Sequence, residues 1–166
     1  MEAPPGWVAK HIADVRVVGE PWAGTGMIPQ GVLVNGKLTG RMRPKKAKKG
    51  RPDVHKWRAH IEQTLRNHAD WNHCCTGPVI VRATLLMLRP KRMGDGGRQP
   101  FAKLEWRDID NCMKPFQDAM TQAGVIMDDG LIYDTHVTQW YAASNEQPGL
   151  ELSWWELIEK DEPSLF

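Results

Sequence analysis

The 166-residue chain is 41% hydrophobic and 25% charged, a balance that suits one compact globular domain spanning 1–166. No apolar run approaches the roughly 18 to 20 residues that a membrane helix requires, and residues 1–7 have neither the basic head nor the apolar core of a secretion signal, so a cytoplasmic protein without a membrane partner is expected. The formal charge of +2 hides a division: residues 1–104 hold 19 Lys and Arg against 7 Asp and Glu, whereas residues 105–166 hold 3 against 13. A polyanion senses the local field and not the sum, so the two regions are expected to have different tasks.

In chain order, residues 15–18 form a short β-prone run closed by Gly19 and Pro21, and the glycine and proline density of 21–40 predicts a long loop. Residues 41–51 follow with seven basic residues in eleven positions and no carboxylate, a run too repulsive for an isolated helix and expected to be solvated. The loop and basic segment together occupy about 21–52. Val54, Trp57, Ile61 and Leu65 recur at helical spacing, so a helix is predicted over 54–70 with Asp53 as its N-cap. Residues 79–88 read as a mostly buried strand ending at Pro90, and 91–99 as a glycine-rich loop.

A second helix is predicted over 110–123, closed by Gly124. Pro115 lacks the N–H that an interior position uses, so this helix is expected to start near Lys114 or to bend there. Residues 125–127, 135–143 and 150–158 read as further strands. Strands before, between and after two helices predict an α/β (α+β) fold in which a mixed sheet is flanked by two main helices. Trp154 and Trp155, adjacent on a strand, point to opposite faces, one toward the core and the other toward a subunit interface.

Three cysteines, two of them adjacent, make a poor disulfide framework, and reduced thiols are expected. His68, His73, Cys74 and Cys75 invite a zinc reading, but structural zinc sites space their cysteines by two to four residues, so zinc is not the expected ligand.

The densest chemical signal runs from Asp108 through Asp110, Asn111 and Lys114 to Asp118, followed by Asp128 and Asp129. Alternation in an extended segment puts Asp108 and Asp110 on one face, and Lys114 lies one helical turn beyond Asp110. Carboxylates at this density repel one another. A divalent ion with hard oxygen ligands, Mg2+ or Mn2+ in its place, removes that repulsion, polarises a phosphoryl oxygen and acidifies a bound water. Lys114 then stabilises transition-state charge or holds the attacking water. Asn111 caps the helix or steadies a ligand carboxylate, and Asp118 is expected to pair with a basic group rather than bind the same ion. Asp128 binds metal or orients the turn.

The pattern Asp108-x-Asp110-Asn111-x-x-Lys114, then Asp118-Ala119, Gly124-Val125 and Asp128-Asp129, resembles the signature of the RusA family of Holliday junction resolvases. The resemblance extends more loosely over most of the chain, departing at Pro115, in the long 21–40 loop and at Gly130-Leu131. It implies magnesium-dependent phosphodiester hydrolysis by Asp108, Asp110 and Asp129, with Lys114 required, in a homodimer that nicks two strands of a four-way junction during recombination or repair. Arg41, Arg43, Lys45, Lys46, Lys48, Lys49, Arg51, Lys56 and Arg107 are the expected phosphate contacts, in a basic run that continues to Arg58. Trp106 is placed to stack on or wedge between exposed bases. Two other readings stand beside this one: a nuclease for flaps or other branched DNA, and an architectural protein that holds junctions without cutting.

Overall fold

The computed structural model describes residues 3–21, 27–34, 37–44, 54–68, 73–101 and 109–160, with 27–34 and 37–44 described by their backbone. Seven strands and two main helices appear in the order β1 (Trp7–Val18), β2 (Met27–Val34), β3 (Lys37–Pro44), α1 (Val54–Asn67), β4 (Val79–Met87), β5 (Gln99–Pro100), α2 (Ile109–Ala123), β6 (Ile132–Tyr141) and β7 (Gly149–Glu159). Five of the strands form one mixed sheet in the order β1-β7-β4-β6-β5, and β2 and β3 pair as a separate antiparallel hairpin. The expected α+β architecture is therefore present, with its two helices on one face of the sheet. None of the described helices is long and apolar enough to cross a membrane.

The sheet is organised around β4, which runs antiparallel to β7 and parallel to β6. A parallel neighbour requires a crossover, and α2 supplies it between β4 and β6. Val79, Val81, Ala83, Leu85 and Met87 alternate onto the helix-facing side of β4, where all are buried. They meet Trp57, Ile61 and Leu65 from α1, and Phe116, Ala119, Met120 and Ala123 from α2, within one apolar cluster. Leu150, Leu152 and Trp154 extend that layer across β7. On β1, a register shift between His11 and Ala13 resets the alternation, so that Ala13, Val15 and Val17 pair with Trp154, Leu152 and Leu150. Gly149 is needed at the start of β7, because a Cβ there would collide with the carbonyl oxygen of Val17.

Several expectations change in the structure, among them the strand expected at 125–127, which is only an isolated bridge through Ile126. The stretch read as loop contains the β2–β3 hairpin, and Arg41 and Arg43 lie in β3, opposite Gln30 and Ile28. Two β-prone runs separated by the dipeptide Asn35-Gly36 are a strong hairpin signal, which glycine and proline density had outweighed. The first strand begins at Trp7 rather than Val15. Finally, α2 starts at Ile109 rather than near Lys114, so Pro115 sits inside the helix with its ring buried and leaves the Asn111 carbonyl without its helical donor.

Polar side chains tie the far end of the sheet together. Arg98 donates to both Glu146 and Glu151, and Arg16 also donates to Glu151. The Arg98 hydrogen bonds hold the Glu146 carboxyl below its ordinary range against a smaller opposing effect of burial. A depressed carboxyl stabilises the fold above its unfolded pKa, and that contribution is lost as pH falls through the folded value. Urea denaturation against pH should therefore show Glu146→Gln costing about 1 kcal/mol at neutral pH. The cost should shrink as the pH drops below the ordinary carboxylate value of 4.5.

Trp154 is fully buried, and its indole N–H has no acceptor among the described residues. Trp154→Ala should cost about 3–5 kcal/mol through the cavity it leaves. Trp154→Phe removes the unpartnered N–H while keeping a ring, so it should cost less than about half as much in the same denaturation assay.

Candidate active site at the start of helix α2

Asp110, Lys114 and Asp118 are spaced by four residues along α2 and so share one face of it. Asp110 stands exposed in the first turn, where a carboxylate complements the partial positive charge of the helix end. Lys114 Nζ lies 2.8 Å from Asp118 Oδ1 and 2.8 Å from Asp129 Oδ2. The lysine therefore joins α2 to the acidic turn that follows it.

That turn is positioned by backbone bonds. Gly124, with φ of 78°, lets the chain leave α2, and Val125 N–H donates back to the Met120 carbonyl. Ile126 then forms a parallel bridge with Cys75, with Cys75 N–H donating to Val125 O at 2.9 Å and Met127 N–H donating to Cys75 O at 3.1 Å. Asp128 Oδ1 accepts from Gly130 N at 2.7 Å, and residues 129–131 close as a 3-10 turn. Asp128 thus orients the turn, one of the two roles expected of it, and Asp129 is carried to Lys114.

Lys114 and Asp129 shift each other in opposite senses. The hydrogen bonds to Asp118 and Asp129 raise Lys114 above its ordinary value, so it stays cationic at neutral pH. Lys114 in turn holds the Asp129 carboxyl below its ordinary range. Asp118 also faces Arg58 on α1 at 3.7 Å, which matches the expectation that it pairs with basic groups. Asn111 is half-buried one residue beyond Asp110.

Of the expected site residues, the structure brings Lys114 and Asp129 together and carries Asp110 on the same helical face as Lys114. Asp108, Trp106 and Arg107 lie outside the described residues, as do Lys45, Lys46, Lys48, Lys49 and Arg51, and the proposed N-cap Asp53. Arg41 and Arg43 are described by backbone only, and Lys56 is exposed on α1. Met127 and Tyr133, at 63% and 62% exposure, flank the acidic turn as an apolar rim that was not expected. Also unexpected is the gathering of His73, Cys75 and Glu156, whose donor atoms lie within 4.8 Å of one another. Its signal was present in β7, where Glu156 falls in phase with the inward-facing Leu150, Leu152 and Trp154.

The Lys114 bridge makes a solution prediction. Removing the ammonium in Lys114→Ala should return the Asp129 carboxyl upward toward its ordinary pKa, as read by side-chain carbonyl NMR titration. Asp118→Asn should leave Asp129 depressed. An Asp129 titration indifferent to Lys114→Ala would mean that the bridge does not persist in solution.

No curated protein matches the chain. The family model described as endodeoxyribonuclease RusA matches residues 35–153, a span that contains α1, β4, α2 and the acidic turn. The chain belongs to the RusA endodeoxyribonuclease family.

Proposed function

We propose that the protein is a magnesium-dependent, homodimeric endonuclease that resolves four-way DNA junctions by paired nicking. Asp108, Asp110 and Asp129 are its ligand carboxylates and Lys114 the adjacent cation. The observation that carries this reading is the Lys114–Asp129 pair at 2.8 Å, one helical turn beyond Asp110. Hard oxygen donors, exposed to solvent and gathered from two elements, fit a divalent ion that retains waters and takes up phosphate oxygens. When bound, magnesium or manganese supplies positive charge at the scissile phosphate and acidifies the attacking water.

The chain's own residues then have separable tasks. Asp110 and Asp129 supply oxygen ligands from the start of α2 and from the turn after it, Asp108 a third just ahead of the helix. Asp128 is occupied with its own turn through Gly130 N–H and serves to present Asp129. Lys114 remains an ammonium, so it can neutralise charge that accumulates on the phosphate as the water oxygen bonds to phosphorus and the sugar oxygen departs with a proton. Arg41, Arg43, Lys45, Lys46, Lys48, Lys49, Arg51, Lys56 and Arg107 hold the flanking arms through their phosphates, a contact that weakens as salt rises. Trp106 and the exposed Tyr133 offer ring faces to bases opened at the junction centre. A two-fold dimer places two such centres on symmetry-related strands, so paired nicks follow.

Incubation of the protein with a labelled four-way junction, with and without Mg2+, tests the reading. Cleavage should require the ion and yield symmetric nicks. Asp110→Asn or Asp129→Asn should reduce the rate by at least about a thousandfold while junction binding persists. Preference for flaps over four-way junctions would move the substrate to the wider class of branched DNA, and tight binding without nicks would make the protein architectural.

A further inference from the structure

We propose that His73, Cys75 and Glu156 form a second metal site, selective for zinc and separate in its residues from the carboxylates around Lys114. An imidazole nitrogen, a thiol sulfur and a carboxylate oxygen converge there, all within 4.8 Å of one another. His73 Nε2 and Glu156 Oε2 are 2.8 Å apart. An ion bound tetrahedrally to both atoms needs them about 3.3 Å apart, so a movement of about half an ångström admits it.

The donors are held from several directions. Glu156 Oε1 accepts from the backbone N–H groups of Thr76 at 3.0 Å and Gly77 at 3.1 Å, which leaves Oε2 turned toward His73. Cys75 is fixed through its backbone bonds to Val125 and Met127. Glu156 and Cys75 are buried, whereas the His73 side chain is 52% exposed and provides the open side through which an ion enters. Glu156 is a buried side chain already oriented by the Thr76 and Gly77 N–H groups, so an ion entering beside His73 meets an oxygen ligand held in place.

The donor set selects the metal. Thiolate sulfur disfavours magnesium, and one sulfur, one nitrogen and one oxygen suit zinc, with the fourth position left to water. A cysteine binds zinc as its thiolate, so uptake of the ion at Cys75 releases a proton. The consequence for the fold is a clamp. An ion here joins β7 to residues 73–77, and through Cys75 to the segment that delivers Asp128 and Asp129.

The full chain, stripped with a chelator, is titrated with Co2+ as a spectroscopic probe and then with Zn2+ in competition. One cobalt per chain should bind with a thiolate-to-metal charge-transfer band, be displaced by Zn2+, and resist excess Mg2+. The band should persist in Cys74→Ser, whose thiol is exposed and outside the cluster, and vanish in Cys75→Ser. His73→Ala, at a surface position that leaves the core intact, should weaken cobalt binding by about tenfold or more. Cobalt binding without the band, a band that survives Cys75→Ser, or an affinity unchanged in His73→Ala overturns the site. None of these readouts depends on nuclease activity, so the two proposals can fail independently.

Discussion

The placement of the acidic turn depends on one short piece of backbone pairing, the exchange between Cys75 and residues 125–127. Helix α2 packs on the sheet through Phe116, Met120 and Ala123, but packing alone does not determine where the chain goes after Gly124. The Cys75 N–H and carbonyl do so, since they take up Val125 O and Met127 N–H and leave Asp128 as the next residue. Two hydrogen bonds shielded from water by a buried bridge resist fraying better than the same pair in an exposed loop. Lys114 then needs only its own reach to meet Asp129.

Charge organisation follows from that arrangement. Part of the excess of acid after residue 105 is met within the fold by side chains from residues 1–104. Arg16 and Arg98 serve Glu146 and Glu151, Arg58 faces Asp118, and His73 Nε2 lies against Glu156. The arginines hold the fold together, and Arg58 in particular is engaged with α2 rather than belonging to a uniform DNA-facing run. The densest run of positive charge in the sequence lies between residues 41 and 56, where Asp53 is the one carboxylate. A basic segment in the same chain as an exposed acidic centre suits a polyanionic substrate, because the segment attracts the backbone that the carboxylates would repel.

How much of this was legible in the sequence depended on whether the signal was local. The periodicities of α1, α2, β4 and β7 were local, and their boundaries fall within a few residues of expectation. So was the spacing that stacks Lys114 above Asp110. The length of β1 was not, because Trp7, Ala9 and His11 owe their strand conformation to pairing with β7 at the opposite end of the chain. The start of α2 ahead of Pro115 was left open for a related reason: burial of the ring offsets one missing helical hydrogen bond, and intrinsic propensity contains no term for that packing. The His73, Cys75 and Glu156 cluster joins residues about eighty positions apart, so spacing rules written for consecutive ligands passed over it.

The two proposed metal sites differ in the property that keeps their ions apart. The carboxylates near Lys114 are exposed hard donors with an ammonium among them, an arrangement that holds an exchangeable ion loosely and gives the charge back to lysine when the ion leaves. The other cluster is mostly buried, contains sulfur, and has no ammonium among its donors, so it favours a borderline ion held for structural purposes. Softness sorts the metals where affinity alone would not, since zinc outcompetes magnesium for almost any donor set. A tight zinc clamp behind Cys75 would also steady the strand segment that presents Asp129. Rigidity at the buried site and exchange at the exposed one are then complementary, because a ligand that must rebind its ion at each turnover works best from a turn that does not have to be rebuilt.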